Sequence, residues 1–142
     1  PLKSMDQLYE EKISHLNDLI QLSRVDGNES LNEVNFINSV ADRLKIDRQD
    51  VESIRKKQTQ VTFSPPKDMY QLMMQFHRLI VLMGIDRVIS REEKSFCQTL
   101  GEKMNLKKEA VDEIIEKAID TPRHVVSVDE IENIFYRHYK DD

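Results

Sequence analysis

Hydrophobic residues recur at spacings of three and four along most of the chain, which is the period of an amphipathic α-helix. The first hydrophobic stripe runs from Met5 to about Ser23, and the second runs from Val34 to Leu44. A short third stripe follows Asp47, whose side chain can cap a helix. The first part of the chain therefore predicts three helices in succession.

The remainder of the chain predicts four more helices. Residues 64 to 66, Ser-Pro-Pro, are typical of a helix start, and the helix that follows is apolar on nearly every side, which favours a central position. Two amphipathic helices then run from Ser90 to about Met104 and from 108 to 119. Thr121-Pro122 indicates a break, and a last helix begins at Ser127. We predict an all-α bundle of about seven helices.

The chain also contains an internal repeat. Residues 9 to 57 align without a gap on residues 69 to 117, sixty positions later, with ten identities. We expect two repeats related by a pseudo-twofold axis within one domain, 1 to 142, with 58 to 64 as connector and 127 to 139 as C-terminal helix. The identical polar pairs include Asp26 and Asp86, Ser30 and Ser90, and Glu33 and Glu93.

Both polar Ser-Glu pairs have the spacing of a helix capping box. In this motif the serine oxygen accepts from the backbone amide three residues on, and the glutamate bonds back to the serine amide. Ser30 and Ser90 each precede a helical stripe, and Ser127 precedes the last helix in the same way. Helix capping is therefore the predicted role of the three serines.

The turn before the second helix is rich in oxygen ligands. Its candidate ligands are Asp26, Asn28, Glu29 and Glu33. Such side chains suit a weak Mg²⁺ or Ca²⁺ site, although the turn is too short for an EF-hand. The second repeat offers only Asp86 and Glu93, because Arg87 and two aliphatic residues replace the other acceptors. Turn stabilisation by the aspartates is the favoured interpretation, and a cation site is the alternative.

These turns resemble the recurring Asp-Gly-x-Ile-Ser-x-x-Glu stretch of the tellurite-resistance TerB family. The matching residues are Asp26, Gly27, Ser30 and Glu33, and then Asp86, Ile89, Ser90 and Glu93. The resemblance implies an all-α fold of about seven helices, an acidic face, and a role in metal-linked stress responses or as a protein scaffold. The same fold occurs in some DnaJ-type co-chaperones, but the J-domain His-Pro-Asp motif is not found here.

Charge and composition narrow the functional classes. A net charge of -5 argues against a general nucleic-acid binder, because phosphate contacts need a basic surface. The single cysteine, Cys97, fits a reducing compartment, and no stretch predicts a membrane span or a signal peptide. We therefore expect a cytoplasmic protein. The four histidines lack metal-ligand spacing, so structural or exposed roles are predicted for His15 and His77 and a buried, satisfied one for His138.

No catalytic motif is recognisable, since the chain lacks a Gly-rich phosphate loop, a nucleophile elbow and a local Cys/His pair. An acidic stripe on the sixth helix predicts a surface for water or a basic protein partner. Its members are Glu109, Asp112, Glu113 and Glu116. We therefore predict a non-enzymatic interaction module of a bacterial stress response, with a divalent-cation sensor as the alternative.

Overall fold

Seven α-helices make up most of the computed structural model, which describes residues 5–86, 88–121, 123 and 125–139. They are α1 (Met5–Arg24), α2 (Leu31–Arg43), α3 (Arg48–Arg55), α4 (Met69–Met83), α5 (Arg91–Lys103), α6 (Lys108–Asp120) and α7 (Val128–Tyr139). No strand occurs within the described ranges. The predicted all-α class and the number of helices are thus confirmed.

The start of α4 differs from the prediction. The helix begins at Met69 rather than near Ser64, and the side chain of Asp68 caps it by accepting a 3.0 Å hydrogen bond from the Gln71 amide. Ser64 lies in the extended connector, where its backbone amide donates to the Ser14 hydroxyl of α1 at 2.8 Å. The prediction was wrong because this tertiary bond ties the serine to α1 and leaves the capping to a later residue.

Of two smaller predictions, the Asp47 cap is wrong and the helix end before Thr121 is confirmed. Asp47 occupies the N-cap position of α3, but its side chain makes no capping hydrogen bond. Its carbonyl accepts instead from the amides of Asp50 and Val51, at 2.9 and 3.1 Å. At the other predicted break, α6 ends at Asp120 with Thr121 in the C-cap position. Pro122 lies outside the described residues.

The core lies between α1 and α4, which pack against each other, and it contains buried side chains from all seven helices. Leu16 and Leu19 of α1 and Phe76 and Leu79 of α4 are fully inaccessible to solvent. Because α4 also contacts α5 and α7, its apolar residues are covered from several directions. Among the described helices, none combines the length and the hydropathy needed to cross a bilayer.

Helix positions in the two halves agree at an offset of sixty residues. α2 and α5 have equal lengths and start sixty positions apart, as do the starts of α3 and α6. Lys45 and Asn105, also sixty apart, both adopt left-handed backbone conformations, with φ of 59° and 63°. Their amides close the same turns, by bonds of 3.1 Å to Asp42 and 2.9 Å to Glu102. The twofold relation between the repeats stays a prediction.

Candidate functional site

The Ser-x-x-Glu motifs form reciprocal hydrogen bonds at the helix starts. Glu33 donates its amide to the Ser30 hydroxyl at 3.1 Å, and its carboxylate accepts from the Ser30 amide at 2.9 Å. The same two bonds in the second copy, between Ser90 and Glu93, measure 3.0 and 2.8 Å. A third box spans Ser127–Glu130. These bonds satisfy amides that a helix start otherwise leaves without a partner.

The turns of the two halves meet at these capping boxes. The Ser30 hydroxyl donates to Asp86 at 3.1 Å, although the two residues are 56 positions apart in the chain. The Glu33 carboxyl also lies beside Asp86, so the two acidic groups interact where the turns meet. We call Asp26, Glu33, Asp86 and Glu93 the acidic cluster.

Burial and nearby acidic groups raise the pKa values of the two glutamates in the acidic cluster. Glu33 and Glu93 are only 3% and 5% exposed. Burial and the neighbouring Asp86, against the opposing Ser30 bonds, raise the pKa of Glu33 to about 7. Burial likewise raises the pKa of Glu93, with added repulsion from Asp26 and Asp86. A cationic group brought to this cluster would therefore replace a proton near neutral pH.

Glu29 does not belong to the acidic cluster, contrary to the sequence-based ligand set. Its carboxylate accepts from the Ser23 hydroxyl at 2.6 Å and from the Arg55 guanidinium at 2.9 Å, and it pairs with Arg24 at 3.5 Å. Although burial raises the pKa of Glu29, these hydrogen bonds hold it below its ordinary value. The carboxylate thus neutralises two arginines between α1 and α3, so we remove Glu29 from the candidate metal ligands.

Asp26 performs turn chemistry at the end of α1. Its carboxylate accepts from the Asn28 amide at 3.0 Å, across Gly27, whose φ of 81° lies in the left-handed region. Both Asp26 and Asn28 are exposed. Within the described ranges, no group of three or more His, Cys, Asp or Glu side chains is arranged to hold a metal ion. The predicted ligands thus share one region without forming a coordination shell.

No family model, curated protein or solved structure matches the chain. We therefore infer the function from the geometry of the candidate site.

Two exposed apolar side chains lie near the acidic cluster. Leu31 directly follows Ser30 and is 74% exposed, while Val88 lies two residues after Asp86 and is 76% exposed. The contact between Ser30 and Asp86 brings both positions to one side of the protein.

These two apolar residues were missed by the sequence reasoning. Leu31 occupies a variable position of the capping box, and Val88 lies in the turn before α5, so neither belongs to a helical stripe. Both residues lie outside the hydrophobic stripes, and apolar residues at such positions are not needed for the core. This was the signal in the sequence that could have identified them. With the acidic cluster they form what we call the turn surface, made of Leu31, Val88, Asp26 and Asp86.

The acidic stripe on α6 is largely paired within the chain. Glu113 accepts hydrogen bonds from Arg137 and, at 2.8 Å, from the half-buried His138 ring. Asp112 bonds a lysine on its own helix at 2.6 Å, and Glu116 bonds a lysine of α5 at 2.9 Å. Three of its four carboxylates thus already have cationic neighbours, which weakens the attraction of this stripe for a basic partner.

Proposed function

We propose that the chain is a non-enzymatic interaction or scaffold module of a bacterial stress response, the role that its resemblance to TerB proteins implies. The observation that carries the proposal is the turn surface. Leu31 and Val88 there expose large apolar side chains beside the exposed carboxyl groups of Asp26 and Asp86. Apolar side chains surrounded by polar groups are typical of surfaces that bind other proteins.

The charges of the turn surface specify the chemistry of the partner. We infer a protein segment that places an aliphatic side chain against Leu31 and Val88 and a lysine or arginine beside Asp86. The cation would favour the ionised form of the neighbouring Glu33 carboxyl, whose pKa is raised to about 7. Binding of this kind weakens as salt concentration rises, because screening reduces the attraction between charges at the surface.

Site-specific photo-crosslinking tests where the partner binds. A photoreactive amino acid replaces Leu31 in one strain and Tyr136 of α7, which is 71% exposed, in the control strain. We expect one protein to be crosslinked from position 31 and not from position 136. Equal crosslinking from the two positions would contradict a specific surface.

Binding measurements with the purified proteins then test whether the interaction is direct. The crosslinked protein is produced separately, and its dissociation constant is measured by calorimetry at two salt concentrations. Leu31→Ser and Val88→Ser should each weaken binding, whereas Val125→Ser, a change of an equally apolar side chain that is 64% exposed, should not. The proposal fails if the purified proteins do not bind, or if Val125→Ser weakens binding as much as the other two changes.

Cation sensing is a second candidate function, favoured by the interaction of the Glu33 carboxyl with the neighbouring Asp86. A divalent cation prefers such hard oxygen ligands, but the acidic cluster would have to draw closer to coordinate it. The test is a thermal melt of metal-stripped protein with and without millimolar Ca²⁺, Mg²⁺, Mn²⁺ and Zn²⁺. A ligand at a hundred times its dissociation constant adds about 2.7 kcal/mol, a shift of several degrees. A shift that is lost in Asp86→Asn would favour sensing, and unchanged melts would exclude it.

A further inference from the structure

A second site lies away from the turn surface, in a cavity of about 330 Å³ between α1 and α4. Its polar lining includes His15 and Lys12 from α1 and Gln75 and Arg78 from α4. Glu11 is the only carboxylate among the residues that line it. The lining thus has two cationic side chains, Lys12 and Arg78, against this one carboxylate, and Arg43 of α2 adds a like charge near Arg78.

His15 has unsatisfied hydrogen-bonding capacity in this cavity. Its side chain is 1% exposed, and both ring nitrogens lack a partner among the described residues. Burial, and then repulsion by Arg78, lower the pKa of the imidazole to about 3. At neutral pH the ring thus offers one N–H donor and one acceptor, and leaving such groups buried without a partner costs stability.

Arg78 has no ion-pair partner within the described ranges. The residue is half-buried and makes no ion pair or hydrogen bond with any residue that the structure describes, although the Glu11 carboxylate lines the same cavity. Burial lowers its pKa, and the like charge of Arg43 lowers it further. A partly desolvated arginine without an anion is unfavourable, and its planar fork of donors matches a carboxylate or a phosphate.

The residues sixty positions away provide an internal comparison. Arg78 corresponds to Asp18, and Arg43 corresponds to Lys103. Asp18 and Lys103 attract each other and line a separate cavity of about 200 Å³. The same two positions are therefore occupied by an acid and a base in one half of the protein and by two bases in the other. Only the cavity at Arg78 is left with an excess of positive charge.

We propose that this cavity binds a small organic anion, whose carboxylate or phosphate group accepts hydrogen bonds from Arg78 and His15. Lys12 adds a third positive neighbour, while Leu44 and Pro66 provide an apolar wall for the rest of the ligand. The cavity is larger than an inorganic ion requires, which favours an organic molecule. A metal cation is disfavoured, because the two guanidinium groups would repel it.

An NMR titration tests this proposal. Isotope-labelled protein is titrated with sodium phosphate and, separately, with sodium benzoate at constant ionic strength, and sodium chloride is the reference. We expect saturable shifts of the His15 ring nitrogens and of nearby α1 and α4 amides with phosphate, with benzoate, or with both. The salt that saturates first tells which anionic group the cavity prefers. Shifts no larger than those with chloride, for both salts, would overturn the proposal.

Matched variants show whether the binding occurs at this cavity. Arg78→Gln should raise the dissociation constant at least about tenfold, the effect of losing a charged hydrogen bond. Lys103→Gln, the same loss of charge at the other cavity, should leave it unchanged. Should Arg78→Gln fail to fold, Arg43→Gln decides, because this side chain is exposed and should still weaken binding. Equal effects of the change at Lys103 and of the change at Arg78 or Arg43 would refute the assignment.

Discussion

Asp18 allows a quantitative test of the packing between α1 and α5. Its buried carboxyl lines the smaller cavity together with Lys103. Burial raises the pKa of Asp18 to about 7, and the lysine only partly opposes this shift. Asp18→Asn keeps the size of the side chain and removes the charge. We therefore predict that this variant is more stable than the wild type at pH 8.

The size of the effect follows from proton linkage. Below the ordinary pKa of 3.8, Asp18 is protonated in both the folded and the unfolded state. Between 3.8 and about 7 it is ionised only in the unfolded chain, so the free energy of unfolding of the wild type falls as pH rises. Each pKa unit is worth about 1.4 kcal/mol, so the whole loss is about 4 kcal/mol. Roughly 2.5 kcal/mol of it falls between pH 5 and pH 8.

Urea denaturation of the two proteins at pH 5 and pH 8 measures this quantity. The difference in unfolding free energy between Asp18→Asn and the wild type should grow by about 2.5 kcal/mol over this interval. Glu33 and Glu93 titrate in the same direction but are present in both proteins, so their contributions cancel. Asp120→Asn, a change of an exposed aspartate, serves as control. A difference that is constant with pH would refute the buried, neutral carboxyl.

Three further predictions concern the helices. Ser30→Ala and Ser90→Ala should each lower the free energy of unfolding by about 1 kcal/mol in urea titrations, because each loses a helix cap. The loss should be the same with and without metal, and a loss that occurs only with metal would indicate a ligand role. Gly101→Ala should cost about 1–3 kcal/mol and lower the melting temperature, because the added Cβ would lie 2.8 Å from a methyl group of Val111. The Cys97 thiol is inaccessible to solvent, and burial raises its pKa. Iodoacetamide should therefore modify it in urea but not in the native protein. Rapid labelling of the native protein would contradict this packing.

Hydrophobic periodicity was sufficient to predict the helices, because each of them buries one stripe against a shared core. Periodicity did not predict the helix caps correctly at positions where a short polar residue has two available hydrogen-bond partners. Ser64 has the sequence of a helix cap, but it bonds α1 through its backbone amide, and Asp68 caps α4 instead. Asp47 precedes α3 and leaves its capping bond unmade. Local sequence cannot decide between such partners, because the competing group belongs to another helix or lies further along the chain.

The candidate site shows the same limit. The polar pairs at Ser30 and Glu33 were recognisable from their spacing, but their contact with Asp86 depends on how the two turns meet. Glu29 resembled a metal ligand in the sequence until Arg55, 26 residues later, provided its partner. His15 resembled a structural histidine, since a lone histidine gives no sign that both its ring nitrogens will be buried without a partner.

The internal repeat separates the demands of folding from those of binding. Serine and glutamate are identical at the starts of α2 and α5 because each pair closes a capping box, which is a local requirement of the helix start. Positions 18 and 78 carry opposite charges within equivalent helices, so the fold does not dictate the charge there. The acid at Asp18 has Lys103 beside it, whereas the base at Arg78 makes no ion pair with a described residue and has Arg43 as a like-charged neighbour. A half-buried charge that neither folding nor an ion-pair partner explains is best explained by a ligand.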